Sequence, residues 1–361
     1  MLQTLTVYLV LFIALFFFGK EAADRNKFWY ACIGILIYTV VFALRKDVGM
    51  DYPGYLQIYN DATRGVLPDK DEPGWMLLLM SMARAHAPVT LFFGVFAFFQ
   101  LFLVYWSLKD DKDVYPFLAV TFMLECIWLS YANGLRQQLA FAIFTCAIPA
   151  IRDRSWLKYY LLVALATSLH YSAALLVLIY PIFRLNSRGY FKNIRLEYIL
   201  LLIALVVSRT AITKNLGDEG GTILDAFGYT HYLEQATEKL YSELTHRGLG
   251  YWISLVTIVF LIWLSNDVKA WFNKPVINII YDLTFLGFLW KYIFIESQLF
   301  SRMNYYFIGF EYIFCAFTLM YLWQSRRSIA FTALLGLELL TFAGFMSRAA
   351  QNTALFTFIW Q

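Results

Sequence analysis

The stretch FWYACIGILIYTVVFALRKDVGMDYPGYLQIYND, residues 28–61, changes character at one point. Up to Leu44 it carries no charge; then Arg45, Lys46, Asp47 and Asp51 arrive together with Tyr52, Tyr55 and Tyr59. The uncharged run is long enough for a hydrocarbon core of about 30 Å. A backbone in lipid must satisfy its own hydrogen bonds, so a continuous apolar run of this kind is a helix. Charge at the mouth of such a helix costs free energy unless it is solvated, paired or used.

The same logic extends over the whole chain of 361 residues, which is 60% hydrophobic and only 15% charged. Apolar runs are expected to cross at 2–18, 28–44, 88–107, 114–130, 135–151, 157–169, 171–185, 196–212, 249–264, 275–295, 303–323 and 329–345. They are long and continuous rather than the alternating strands of about ten residues that build a membrane barrel. The fold expected is therefore all-α: one polytopic transmembrane domain over 1–361, with about 12 transmembrane helices (range 10–13) in a GT-C-like bundle. The first basic residues, Lys20, Arg25 and Lys27, follow the first apolar run, which is not the pattern of a cleaved signal peptide. The net charge of +4 is spread over short loops with no basic, aromatic-interleaved soluble region, which excludes a nucleic-acid partner. Cys32, Cys126, Cys146 and Cys315 lie inside apolar runs without metal-ligand spacing and read as small core residues.

Basic residues set the sides. If 74–87 lies in the interface instead of crossing, the loops 19–27, 108–113, 152–156, 186–195, 265–274 and 324–328 share one face, which the positive-inside rule makes cytoplasmic. The opposite face collects the long loop 45–87, the turns near 131–136, 170 and 296–302, and the loop 213–248. The parity requires 157–185 to be two short helices that turn at His170.

The extracytoplasmic face gathers the chemistry. In YANGLRQQLAFAIF (131–144), Asn133 and Gly134 start an inward helix, which puts Arg136 and Gln137 in its first turn. A cation there opposes the helix dipole by about 0.3–1 kcal/mol, and an anion would compensate. Arg302 in SRMNYYFIGFEY precedes another inward helix, and His170 and Tyr171 in SLHYSAALL stand at a third. A guanidinium beside free backbone N–H groups makes a phosphate site. Taken singly, each arginine also reads as a snorkelling residue, and Arg302 as an ion-pair partner of Glu296. The acids come from the first loop: Asp47 and Asp51 flank Gly49, and Glu72 precedes the 74–87 segment. Tyr52, Tyr55 and Tyr59 share one face of the short helix that Pro53 opens, suited to an interfacial belt or to stacking on sugars.

The ordered set LRKDVGMDYPGY, EPGW, NGLRQQLA and SLHYSA resembles the EpsG branch of the Wzy-type bacterial polysaccharide polymerases, over most of residues 40–185. The resemblance implies an inner-membrane glycosyltransferase that joins polyprenyl-diphosphate-linked oligosaccharide repeat units on the periplasmic face, beside a separate flippase and chain-length regulator. It implies no metal and no other cofactor, with arginines on the diphosphate. The chemistry agrees: the DKD at 69–71 is no metal-binding triplet, and an arginine fork can carry a leaving diphosphate. Arg136 and Arg302 are the candidates for that task, with Arg45 third. His170, Asp51 and Glu72 compete as the base that takes the acceptor proton. Asp47, Tyr52, Tyr55, Asn133, Gln137 and Tyr171 are expected to contact substrate, and the 213–248 loop, with Tyr229, His231, Tyr232 and Arg247, to form a lid. A ligase using the same donor keeps this chemistry. A transporter or flippase would instead place charge at mid-membrane depth, where only Lys291, Glu311 and Glu338 are found.

Overall fold

The computed structural model describes residues 1–68, 72–186, 189–208, 248–295, 298–351 and 353–361. Arg188, Glu296, the 69–71 triplet and all of the 213–248 loop except Gly248 lie outside the described residues, Tyr229, His231, Tyr232 and Arg247 among them. The described residues are mostly helical, as expected, and the chain divides into two compact units, Met1–Ser187 with Cys315–Gln361, and Arg188–Phe314.

In the first unit, α1 (Leu2–Asp24) and α2 (Trp29–Ala43) form a hairpin that turns at Asn26, whose φ of 53° is a left-handed value that asparagine tolerates. At Gly34 the two backbones nearly touch, since a Cβ there would meet the Ala14 carbonyl at 3.0 Å. Small residues that permit such approach hold helices together in lipid, where no hydrophobic force separates protein from solvent. Next come α5 (Val89–Ser107), packed on α2, then α8 (Leu135–Arg152) on α5 and α9 (Trp156–Leu169) on α8. Alternate ends of these hairpins define two ends of the unit. At one, Lys112 donates to Asn26 Oδ1 at 2.9 Å and joins the 19–27 and 108–113 loops. At the other lie the ends of α2 and α9 and the start of α8.

The stretch 157–185 does reverse at His170. Behind α9 come a 3₁₀ helix, Tyr171–Leu178, and α10 (Ile179–Leu185), and the Tyr159 hydroxyl donates back to the Leu176 carbonyl at 2.6 Å. The 74–87 segment holds α4 (Pro73–Arg84), a 12-residue helix. Its rise of about 18 Å is too short to cross.

The number of crossings is lower than the expected twelve. Six described helices are long and apolar enough to span, or seven if the bent pair at 112–133 counts as one. Of the six expected spans that fall short, 171–185 is a 3₁₀ helix followed by α10, and the described helix in 196–212 has 14 residues; the other four have local causes. The expected span 114–130 breaks by 69° between α6 (Tyr115–Leu124) and α7 (Ile127–Asn133), where Cys126 takes a left-handed φ of 56°. α2 and α9 have only 15 and 14 residues, a rise of roughly 22 Å each. α8 has 18 residues but carries Arg136, Gln137, Gln138 and Arg152.

The second unit is built on α11 (Ile194–Val207), α12 (Leu249–Phe272) and α13 (Pro275–Ile293). Its α12 continues through residues 265–272, expected as loop, and stops at Asn273 with φ 48°. Asp282 accepts from the backbone N–H groups of Tyr190 at 2.6 Å and Phe191 at 3.3 Å, and so ties the approach to α11 onto α13. After α13 come the short α14 (Gln298–Met303) and α15 (Tyr305–Ile308). A Cβ on Gly287 would lie 2.6 Å from the Ile308 nitrogen, so α13 and α15 meet backbone to backbone. Gly250 has nothing within 4 Å of the corresponding position. Gly287→Ala is therefore expected to lower stability by about 1–3 kcal/mol through overpacking, while Gly250→Ala leaves the thermal transition of the solubilised protein unchanged or higher.

Candidate functional site

At the end of the first unit where α2 stops, α7 and α8 meet across Gly134, whose φ of −89° and ψ of 56° break the helix. The break strands carbonyls at the end of α7, and a stranded carbonyl in lipid costs several kcal/mol. Gln100 of α5 donates to the Tyr131 carbonyl at 3.3 Å and to that of Leu135 at 3.0 Å. Arg45 donates to the Ala132 carbonyl at 3.3 Å and, at the end of α2, to that of Phe42 at 2.8 Å. With these two caps the chain can restart as α8 at this depth, and Arg136 falls in its first turn.

Arg136 is 8% exposed and its Nη1 binds Oε2 of Glu72, which is 4% exposed. Oε1 of the same carboxylate faces His170 Nδ1 at 3.1 Å and accepts a longer bond from the Tyr171 N–H at 3.5 Å. Three residues that are 34 and 64 positions apart along the chain thus share one carboxylate. In the tautomer in which Nδ1 donates to this carboxylate, Nε2 is the basic nitrogen of the ring.

The EPGW tetrapeptide explains how Glu72 gets there. Pro73 opens α4 with its preset φ. Gly74 lets the start of α4 touch the end of α9: a Cβ would lie 2.3 Å from Ser168 Oγ, two residues before His170. Trp75, 1% exposed, supports the Arg136 guanidinium, which sits 5.3 Å from its ring centroid. Sequence alone marks Gly74 and Trp75 as part of the EPGW motif without a role, and does not mark Gln100. For Gln100 the available signal was a lone amide within an apolar helix.

The other residues singled out from the sequence fall in different places. Asn133 Oδ1 accepts from the Asp51 N–H at 3.4 Å, and Gly49, at φ 95°, lies so close that a Cβ would be 2.5 Å from the same oxygen. Asp51 begins α3 (Tyr52–Thr63), and Asp47 is exposed in a left-handed turn at φ 56°. Gln137 is buried beside Arg136. Tyr52 stacks on Phe93 with centroids 4.8 Å apart, Tyr55 meets Trp75 edge-on, and the Tyr59 hydroxyl donates to the Ala87 carbonyl at 2.6 Å. These tyrosines fasten α3 to α4 and α5. Arg45 is buried under Phe93, 4.5 Å from that ring's centroid, and burial pushes its guanidinium down to about 10, so it stays charged at neutral pH. Arg302 directly precedes the span Tyr305–Gln324, as expected, but on the second unit and in the last turn of α14.

Among the described residues, Glu125, Cys315 and Glu338 bring possible metal-ligand atoms within 4.8 Å of one another, and none of them is a residue of the constellation above. Removing one member of a buried ion pair leaves an uncompensated charge and typically costs about 3–5 kcal/mol. Glu72→Ala and Arg136→Ala are each expected to lower stability in that range. The double variant should cost less than their sum, a coupling readable from thermal unfolding of the four proteins.

No curated protein and no solved structure matches the chain. The family model described as the EpsG family matches residues 28–359, a span that takes in α2, the first loop, Glu72, Arg136, His170 and all of the second unit, but not α1. The chain belongs to the EpsG family.

Proposed function

We propose that this membrane protein is a glycosyltransferase that polymerises polyprenyl-diphosphate-linked oligosaccharide repeat units on the periplasmic face of a bacterial inner membrane. Membership of the EpsG family supports a polysaccharide polymerase-like membrane protein. The observation that carries the finer reading is the carboxylate of Glu72 held between Arg136 and His170.

The donor's C1–O bond to the diphosphate lengthens as negative charge gathers on the leaving group. Arg136 is held in place by Glu72, and its planar guanidinium fork suits phosphate oxygens. The acceptor hydroxyl attacks C1, and its proton passes to His170 Nε2. Glu72, on Nδ1, keeps the ring in the correct tautomer and stabilises the imidazolium that forms, the part a carboxylate plays wherever it orients a histidine base. The bond to diphosphate breaks with its electron pair, the new glycosidic bond forms, and the proton leaves later to water. A single displacement of this kind inverts the anomeric centre. Asp51 is the competing base in this reading.

The basic loops 19–27, 108–113, 152–156 and 324–328 all fall at the end of the first unit away from Arg136, which supports placing Arg136 on the periplasmic side. The carrier lipid fits an enzyme that lives in the bilayer, and the flippase and chain-length regulator that the reading requires are separate proteins.

Purified protein given a polyprenyl-diphosphate oligosaccharide is expected to build a ladder of inverted linkages that survives a chelator. His170→Ala should slow it by about 10²–10⁴-fold, the usual contribution of a positioned base, while Asp51→Asn changes it far less. A single transfer without a ladder would make the protein a ligase. No product under any condition would overturn the reading.

A further inference from the structure

Residues 353–361 fold back over the end of the first unit that carries Arg136. Thr357–Phe358 pair antiparallel with Arg45–Lys46, in register Arg45 to Phe358 and Lys46 to Thr357. The Ile359 N–H donates to the Leu44 carbonyl at 3.0 Å, and the Gly49 N–H donates to the Thr353 carbonyl at 2.9 Å. Two further bonds moor the same stretch to α1: Phe356 N–H to Thr4 Oγ1 at 3.0 Å, and Tyr8 hydroxyl to the Ala354 carbonyl at 2.5 Å. Phe356 packs between Tyr8 and Phe42, with centroids 6.0 and 5.9 Å away.

Both points it grips on the first loop touch the helix break. Arg45, in the paired strand, caps the Ala132 carbonyl at 3.3 Å. Gly49, held by Thr353, lies against Asn133 Oδ1, the oxygen that also accepts from Asp51. Ala132 and Asn133 are the last two residues before Gly134, and Arg136 stands two positions after that glycine.

We propose that residues 353–361 are a clasp that positions Arg136, acting through Arg45 and Gly49 on the break at 133–134. A segment 217 positions after Arg136, counted from Arg136 to Thr353, then sets the geometry of the diphosphate site without touching substrate. The helices of the first unit also contact one another directly, α1 with α2, α2 with α5, and α5 with α8, so loss of the clasp should loosen the start of α8 without unfolding the bundle. This inference rests on the proposed role of Arg136 for its effect on transfer, but not for its effect on structure.

The test uses Ile359→Pro, which removes the N–H bonded to Leu44, and Gly49→Ala, which drives a methyl group into Asn133. In both, hydrogen exchange at residues 134–138 should accelerate by roughly tenfold or more, while residues 19–27 at the other end keep their wild-type exchange. In both, the KM for the lipid-diphosphate donor should rise more than kcat falls. The double variant should be little worse than either alone, because both act on one path. Wild-type exchange at 134–138 in folded Ile359→Pro protein, or effects that simply add, would overturn the clasp. Faster exchange in a protein whose wild type transfers no sugar would leave the clasp standing and remove the glycosyltransferase reading instead.

Discussion

The carboxylate of Glu72 is taken out of water, and the rest of this end of the molecule follows from what that requires. A buried carboxylate survives as an anion only where opposite charge and hydrogen bonds replace its hydration. Arg136 supplies the charge, and His170 and the Tyr171 N–H supply the bonds. Each of these partners is delivered by a helix end: the start of α8, the end of α9, and the 3₁₀ turn behind it. Measured against stability alone the arrangement is poor, since apolar residues of similar volume often replace such a pair without loss. Its value is that it fixes a guanidinium and an imidazole side by side in one orientation.

Holding them there depends on breaking a helix where the side chains are buried. The interruption at Gly134 brings Arg136 to the first turn of α8, where the dipole disfavours a cation and Glu72 offsets the penalty. Gln100 and Arg45 satisfy the carbonyls that the interruption leaves. Arg45 thus serves the site from beneath: both of its Nη groups point to backbone carbonyls, and its ring neighbours are Phe42, Tyr52 and Phe93.

Much of this was legible in the sequence. The uncharged runs gave a helical membrane protein, and the dipole-opposed arginine after Asn133–Gly134 marked the start of α8 correctly. Glu72 and His170 stood out as an acid and an imidazole on the same face, though nothing in their spacing said that one carboxylate would reach both. That depends on Gly74 approaching Ser168, a contact between segments 94 residues apart, from Gly74 to Ser168. The number of crossings was less legible. Hydropathy cannot see the left-handed residue at Cys126 that bends 112–133, nor that α2 and α9 stop at 15 and 14 residues. The three tyrosines show the same limit: their i, i+3, i+7 spacing gave one helix face correctly, but not that α4 and α5 would cover it.

The direct test of Glu72 as the shared anchor is a structure of the protein in a lipid nanodisc with a polyprenyl-diphosphate oligosaccharide bound. Diphosphate oxygens on the Arg136 fork, with His170 Nδ1 still on Glu72 and Nε2 turned to an acceptor hydroxyl, are the expected result. A diphosphate held away from Arg136, with His170 buried behind an undisturbed ion pair, would contradict it.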